Sequence, residues 1–229
     1  SKSLPCMMQA GFRAGYHADR GWAHSTVRLR DNEFLPSAEV EVAAGIDLPG
    51  RVHLSGDLNV ESWKGEGATS FGVRAEVGPW FGVRPFAEAS FGRRGVPYLR
   101  NAADRPVFTD QTALRVGADA SFGGLHLGVA GVRLDADSLS AFGLPFDRVA
   151  FLYPGGIMDG IEITGRVPLL WEPLALEGWY TRWAGNSPWI YLPDQSFKAA
   201  LVYRHSPLES GNLDLIGRLE GSYRGQMRI

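Results

Sequence analysis

Cysteine is almost missing from this chain. Cys6 stands alone among 229 residues, so no internal disulfide can form and a disulfide-stapled scaffold is excluded, although an envelope location is not. Long apolar runs are missing too. No stretch approaches the ~20 consecutive apolar residues that a membrane-spanning helix needs, and mean hydropathy is -0.11. That absence does not reach a membrane protein built from strands, in which every second residue is polar. An excess of one charge is also absent. With 23 Lys and Arg against 25 Asp and Glu, the net charge of -2 offers a polyanion nothing to bind, so nucleic acid is not an expected partner. No helical period and no repeat of fixed length stands out, and no glycine-rich loop precedes a helix to cradle a phosphate. The chain begins at Ser1 without a charged-then-apolar leader, so a signal peptide has been removed or the sequence starts inside a longer protein.

What is present is glycine, aromatics and alternation. The 29 glycines and 11% aromatic residues weigh against helix interiors and towards strands. In AEVEVAAGIDLPGRVHLSGDLNVE, residues 38–61, Ala38, Val40, Val42, Ala44, Ile46 and Leu48 alternate with Glu39, Glu41 and Asp47. Parity survives the turn at Pro49-Gly50, with Val52, Leu54, Leu58 and Val60 set against His53, Ser55, Asp57, Asn59 and Glu61. Successive strand side chains point to opposite faces, so this is a hairpin with one apolar and one charged face.

The same pattern recurs along the chain. Phe71, Val73, Ala75 and Val77 oppose Arg74 and Glu76; Val83, Ala87 and Ala89 oppose Arg84, Phe86 and Glu88; Leu114, Val116 and Ala118 oppose Arg115 and Asp119. Ile161, Ile163 and Val167 oppose Glu162, Thr164 and Arg166, and near the end Leu215, Leu219 and Tyr223 oppose Arg218, Glu220 and Arg224. The parity slip between Val129 and Val132 predicts a bulge. The spacing yields about twelve strands of roughly ten residues. Short connections at Pro49-Gly50, Gly78-Pro79, Gly123-Gly124, 170–173 and 207–212 alternate with longer ones at 63–69, 92–111, 135–159 and 184–195. That is the signature of an up-and-down meander with one trimmed end and one looped end.

Three features favour a bilayer around this sheet. Strands of ~10 residues match a tilted membrane crossing, whereas soluble strands usually have about five or six. Aromatics collect near strand ends, at Trp22, Trp63, Trp80, Phe81, Trp171, Trp179, Tyr180, Trp183 and Trp189, where interfacial girdles belong. Turns and loops alternate in length. The expected fold is therefore all-β: one domain over residues 1–229, an antiparallel up-and-down transmembrane β-barrel of about 12 strands with its apolar face on lipid. The lumen would be lined by Arg74, Glu76, Arg84, Glu88, Arg115, Asp119, Arg166, Arg218 and Glu220. These charges either satisfy one another and close the interior or border a water-filled path for small solutes. A soluble β-sandwich binding module is the competing fold, since a solvated charged face reads the same way.

Two segments resemble a known family. GVRAEVGPWFGVRPFAEASF (residues 72–91) and FKAALVYRHSPLESGNLDLIGRLEGSYRG (197–225) are similar to barrel strands of bacterial outer-membrane proteins, in particular the barrel part of TonB-dependent-receptor-like proteins. The resemblance implies a Gram-negative outer membrane, a role in solute passage or as the wall of a receptor-like transporter, and contact with other envelope subunits. Neither a plug sequence nor a TonB-box-like segment is visible. Barrels of that family have about 22 strands, so this chain is either a smaller barrel or part of a larger one. The ending Gln226-Met227-Arg228-Ile229, without the terminal aromatic usual in outer-membrane barrels, favours a truncated sequence.

Chemistry has few candidates, and no enzyme, cofactor or metal site is expected. His205 and Ser206 could act as base and nucleophile in a barrel hydrolase, but neighbours on a strand face opposite ways and no acid is placed to orient His205. His17, His24, His53, His126 and His205 are scattered without ligand spacing. Asp135-Ala136-Asp137-Ser138 lacks the glycine and terminal Glu of a calcium loop.

Overall fold

The computed structural model describes residues 8–31, 35–63, 65–100, 105–140, 152–169, 173–185, 192–206 and 214–226. Their alternating sequence forms twelve strands: β1 (Met8–Ala18), β2 (Gly21–Asp31), β3 (Ala38–Leu48), β4 (Val52–Trp63), β5 (Glu66–Val77), β6 (Val83–Arg100), β7 (Pro106–Phe122), β8 (Leu125–Ser140), β9 (Leu152–Pro168), β10 (Leu174–Trp183), β11 (Gln195–His205) and β12 (Leu215–Arg224). All lie in one sheet in chain order, and each strand runs antiparallel to its neighbours. The all-β meander is as the alternation predicts. The sheet is open: β1 pairs only with β2 and β12 only with β11, and both edge strands are exposed along their whole length. A sandwich needs two packed sheets, and the described strands make one.

The two faces are inverted relative to a water-soluble sheet. Aliphatic side chains stand outside: Val116 is 65% exposed and Leu219 73%, with Val42, Ile46, Leu58, Val73, Val129 and Ile161 also exposed. Charged side chains are the sheltered ones, with the Glu76 side chain 14% exposed and that of Glu39 16%. On the charged face Arg74 of β5 reaches Asp119 of β7, and Arg115 of β7 reaches Glu162 of β9, each across an intervening strand. Strands two apart are ~9.6 Å from each other, and side chains bridge that distance most readily where the sheet curves inward. The charged face is the concave one.

Three sequence expectations are corrected. No bulge breaks β8, whose register runs without a shift from Gln111↔Ala136 to Phe122↔Leu125 on one side and from His126↔Arg166 to Ala136↔Gly156 on the other. The parity reverses because the interior itself turns apolar: Val132 packs with Phe86 and Ala130, joined by Leu134 and Trp183, while Arg133 faces outward. Second, several expected loops are strand. Trp63 pairs with Glu66 across a tight turn, β6 and β7 pair as far as Arg100↔Pro106, and β8 and β9 as far as Ser140↔Leu152. β6 to β9 therefore run 16 to 18 residues, against 10 to 12 for the others. Their far ends carry polar residues on both faces, so the ladder persists after the alternation has gone.

Third, the aromatics do not all form a girdle. Trp22, Trp63, Trp179 and Trp183 share strand parity with the charged set. Trp63 is 2% exposed; its indole N–H donates to Glu61 Oε2 at 2.8 Å and the ring lies against Gly95, where a Cβ would collide with it. Trp80, Phe81 and Phe122 are exposed near the short-turn end, and Trp171 and Trp189 lie outside the described residues.

Candidate functional site

Among the described residues, the ion-paired arginines and lysines of the concave face form three groups with carboxylates. The largest spans β5 to β9. Arg74 Nε meets Glu76 Oε1 at 2.6 Å, and Arg84 Nη1 meets Glu76 Oε2 at 3.2 Å. Glu88 Oε2 accepts from both Arg74 Nη1 at 3.0 Å and Arg115 Nη1 at 3.1 Å. Arg74 Nη2 extends to Asp119 Oδ2 at 3.4 Å, and Arg115 closes the chain on Glu162. Phe86 is the floor of this group, with the Arg74 guanidinium 4.3 Å from its ring centroid and that of Arg115 at 5.8 Å. A guanidinium keeps its donors in plane while its face rests on the ring, so one aromatic supports two cations.

The second group is Arg218 with Glu177 at 2.7 Å and Glu220 at 3.1 Å, and Lys198 with Glu220 at 2.8 Å. The third is Arg28 and Arg30 around Glu39, at 3.3 and 2.7 Å, with Arg28 also 3.4 Å from Glu41. The predicted residues Arg74, Glu76, Arg84, Glu88, Arg115 and Asp119 thus come together in one network, and Arg218 and Glu220 in another. Arg166 joins neither; no ion pair or hydrogen bond engages it among the described residues.

The pairing partners differ from those suggested by nearness in sequence. Arg84 binds Glu76 on β5 and not Glu88, and Arg115 binds Glu88 and Glu162, not Asp119. Side chains four apart on a strand are ~13 Å from each other, while a directly opposed residue is about 5 Å away. Glu162, Glu177 and Lys198 were missing from the expected set, although Glu162 and Lys198 carry the parity that would have found them.

The hydrolase candidate is not assembled as base and nucleophile. Ser206 donates to Asp214, no hydrogen bond joins it to His205, and the His205 ring lies 6.2 Å from that of Tyr203. A different serine–histidine contact exists, Ser121 Oγ with His126 Nδ1 at 2.8 Å, and no carboxylate bonds to that imidazole among the described residues. No group of three or more His, Cys, Asp or Glu could hold a metal ion among the described residues. Asp137 of the former calcium candidate accepts from Thr109 Oγ1 at 2.8 Å, Ser138 Oγ at 3.0 Å and the Asp110 N–H at 3.0 Å, on the strand extension.

No family model matches this chain, and no curated protein does. Among solved structures, the alcaligin outer-membrane receptor FauA from Bordetella pertussis is similar in fold. The match has a TM-score of 0.53 at 14% identity and covers 95% of this chain and 46% of the receptor chain. The chain therefore spans about half the length of the receptor it resembles. What the two share is an antiparallel barrel-type wall.

Proposed function

We propose that this chain is membrane-embedded barrel wall in the bacterial outer membrane, part of a receptor-like transporter that passes small solutes, with no catalytic role of its own. The inverted faces carry this reading. On β7 the outward apolar side chains run from Leu114 to Phe122, ~27 Å along the strand, or roughly 20 Å of height at a 35–45° tilt, close to the ~25 Å apolar band of such walls. Beyond it, outward positions become Thr112, Arg133, Asp159 and Arg182, as expected where lipid gives way to water. Trp80, Phe81 and Phe122 then stand at the headgroup level of the short-turn end.

An open edge inside lipid would leave backbone N–H and C=O groups without partners. The edges of β1 and β12 are therefore completed in the membrane by further strands, and the half-length match to a receptor barrel supports a wider wall than these twelve. Paired charges of mixed sign on the inner face suit passage of neutral or zwitterionic solutes better than a single-sign filter.

Single cysteines in a Cys6→Ser background test the reading in liposomes. Labels at Val73, Val116 and Leu219 should be quenched by lipid-borne nitroxide, while cysteines at Ser55, Ser90 and Ser222 should react with a water-soluble maleimide. Equal behaviour of the two sets would sink the assignment of faces. Cysteines at Gly11 and Ser222, which share the concave face, address the edges: an efficient disulfide within one chain would mean that β1 and β12 close on each other.

A further inference from the structure

The concave face has a cavity of about 430 Å³ near the short-turn end, between β7 and β10, within the range of small-ligand sites. Six polar side chains border it: Asp119, Ser121, His126, Thr164, Arg166 and Glu177. Its space exists because Gly128 carries no side chain. A Cβ at that position would lie 2.5 Å from Thr164 Oγ1 and 2.6 Å from Asp119 Oδ1, so both groups lean over the bare backbone from opposite sides.

Arg166 sets the chemistry. It is half-buried and directly opposed by His126 on β8 and Glu177 on β10, yet it engages neither. His126 is turned to Ser121 and Glu177 to Arg218 at 2.7 Å. Arg74, Arg84, Arg115 and Arg218 each engage at least one carboxylate, whereas Arg166, at the border of the cavity, engages none among the described residues. A planar fork of five donors matches a carboxylate in two parallel hydrogen bonds. Across the cavity, on β7, the ion pair of Asp119 uses Oδ2, so Asp119 Oδ1 is left as an acceptor.

We infer that this cavity binds a small zwitterionic solute, its carboxylate on Arg166 and its ammonium on Asp119 Oδ1, beside the Thr164 hydroxyl over Gly128. A dianion would be repelled by the Asp119 and Glu177 carboxylates, and a simple amine would meet the Arg166 charge. The inference deepens the transport reading, since it treats the concave face as the lumen wall.

Equilibrium titration of the detergent-solubilised full chain with 4-aminobutyrate, butyrate and butylamine tests the site without requiring insertion or conduction. Saturable binding should rank aminobutyrate above butyrate, with butylamine inert. Arg166→Gln should weaken aminobutyrate by about tenfold or more, the loss of one bidentate charge-assisted contact, while Arg133→Gln, on the opposite face of the sheet, should leave it unchanged. Should Arg166→Gln fail to fold, Arg166→Lys and Asp119→Asn decide the matter: the first weakens both carboxylates, and the second removes only the preference for aminobutyrate over butyrate. No saturable binding, or equal loss in the Arg133 variant, would overturn the site. Were lipid quenching to succeed while titration fails, the wall would stand and only the solute site would fall.

Discussion

The strands β3 to β7 and the strands β8 to β10 solve the same problem in different ways. In β3 to β7, short of the β6–β7 extension, the charged residues keep to the concave face and carboxylates bridge guanidiniums from strand to strand, as Glu88 does for Arg74 and Arg115. In β8 to β10 that face carries Glu162, Arg166 and Glu177 towards the short-turn end, but at the other end it is filled by Ala130, Val132, Leu134, Met158 and Trp183, and the charges Arg133 and Asp159 stand on the outside. One part of the wall is held from within by ion pairs; the other has a small apolar core. The lone Arg166 lies in the second part, where the ion-pair network stops short. The two meet at Phe86, which packs with Ala130 and Val132 and also carries the guanidiniums of Arg74 and Arg115 over its ring.

The outer face is where the contrast should have its largest consequence. Val116→Arg, on the apolar band of β7, should cost ~2–4 kcal/mol when the protein is folded into a bilayer, and Val73→Arg on β5 the same. Arginine at the concave Ser55 or Ser121 should be mild. The measurement is reversible unfolding from liposomes in denaturant. Similar losses on both faces would erase the distinction between outside and inside on which the comparison rests.

A smaller effect separates the two interiors. Met158 is 1% exposed and opposed by Leu134, so Met158→Ala removes a packed side chain and should cost ~2 kcal/mol, the lower end for such truncations because one side of the patch is open. Glu88→Gln, in the ion-paired interior, should cost about 0.5–1 kcal/mol, since its guanidinium partners are partly solvated and keep other carboxylates. The reverse order would mean that the charges, and not the apolar patch, hold the middle of the wall together.

Much of this was legible from period-two alternation. Residues 38–61 specify β3, β4, their faces and their turn without ambiguity, because every outward position is apolar and nearly every inward one polar. Alternation fails wherever both faces meet the same solvent or the same packing. Ser138↔Pro154 continues the β8–β9 ladder where no apolar face remains, so the sequence reads as loop. Val132 and Leu134 mimic a parity slip because they pack inward. The concave charges are marked by parity, but their partners depend on register, which places Arg115 opposite Glu88, 27 positions away in sequence. The Arg166 cavity was invisible for a related reason: its emptiness comes from Gly128 and from Glu177 choosing Arg218.

The smallest expected effect fixes where the apolar band ends. Arg133 and Asp159 are directly opposed on the outer face, with Nε 3.8 Å from Oδ1 and side chains 52% and 59% exposed. Two environments give opposite answers for this pair. In hydrocarbon, both ions would be stripped of water, and removing one partner would strand the other at a cost of several kcal/mol. In the aqueous layer above the band, a long and exposed pair couples by less than ~0.5 kcal/mol. Leu114, opposed to Arg133 on β7, is the last outward aliphatic before Thr112, so the pair lies at the rim with water in reach. A double-mutant cycle with Arg133→Ala and Asp159→Ala in liposomes should therefore return a coupling below ~0.5 kcal/mol that falls further with added salt. A coupling of several kcal/mol, insensitive to salt, would put the pair in lipid, lengthen the band on β8 and β9, and draw part of their extension into the membrane.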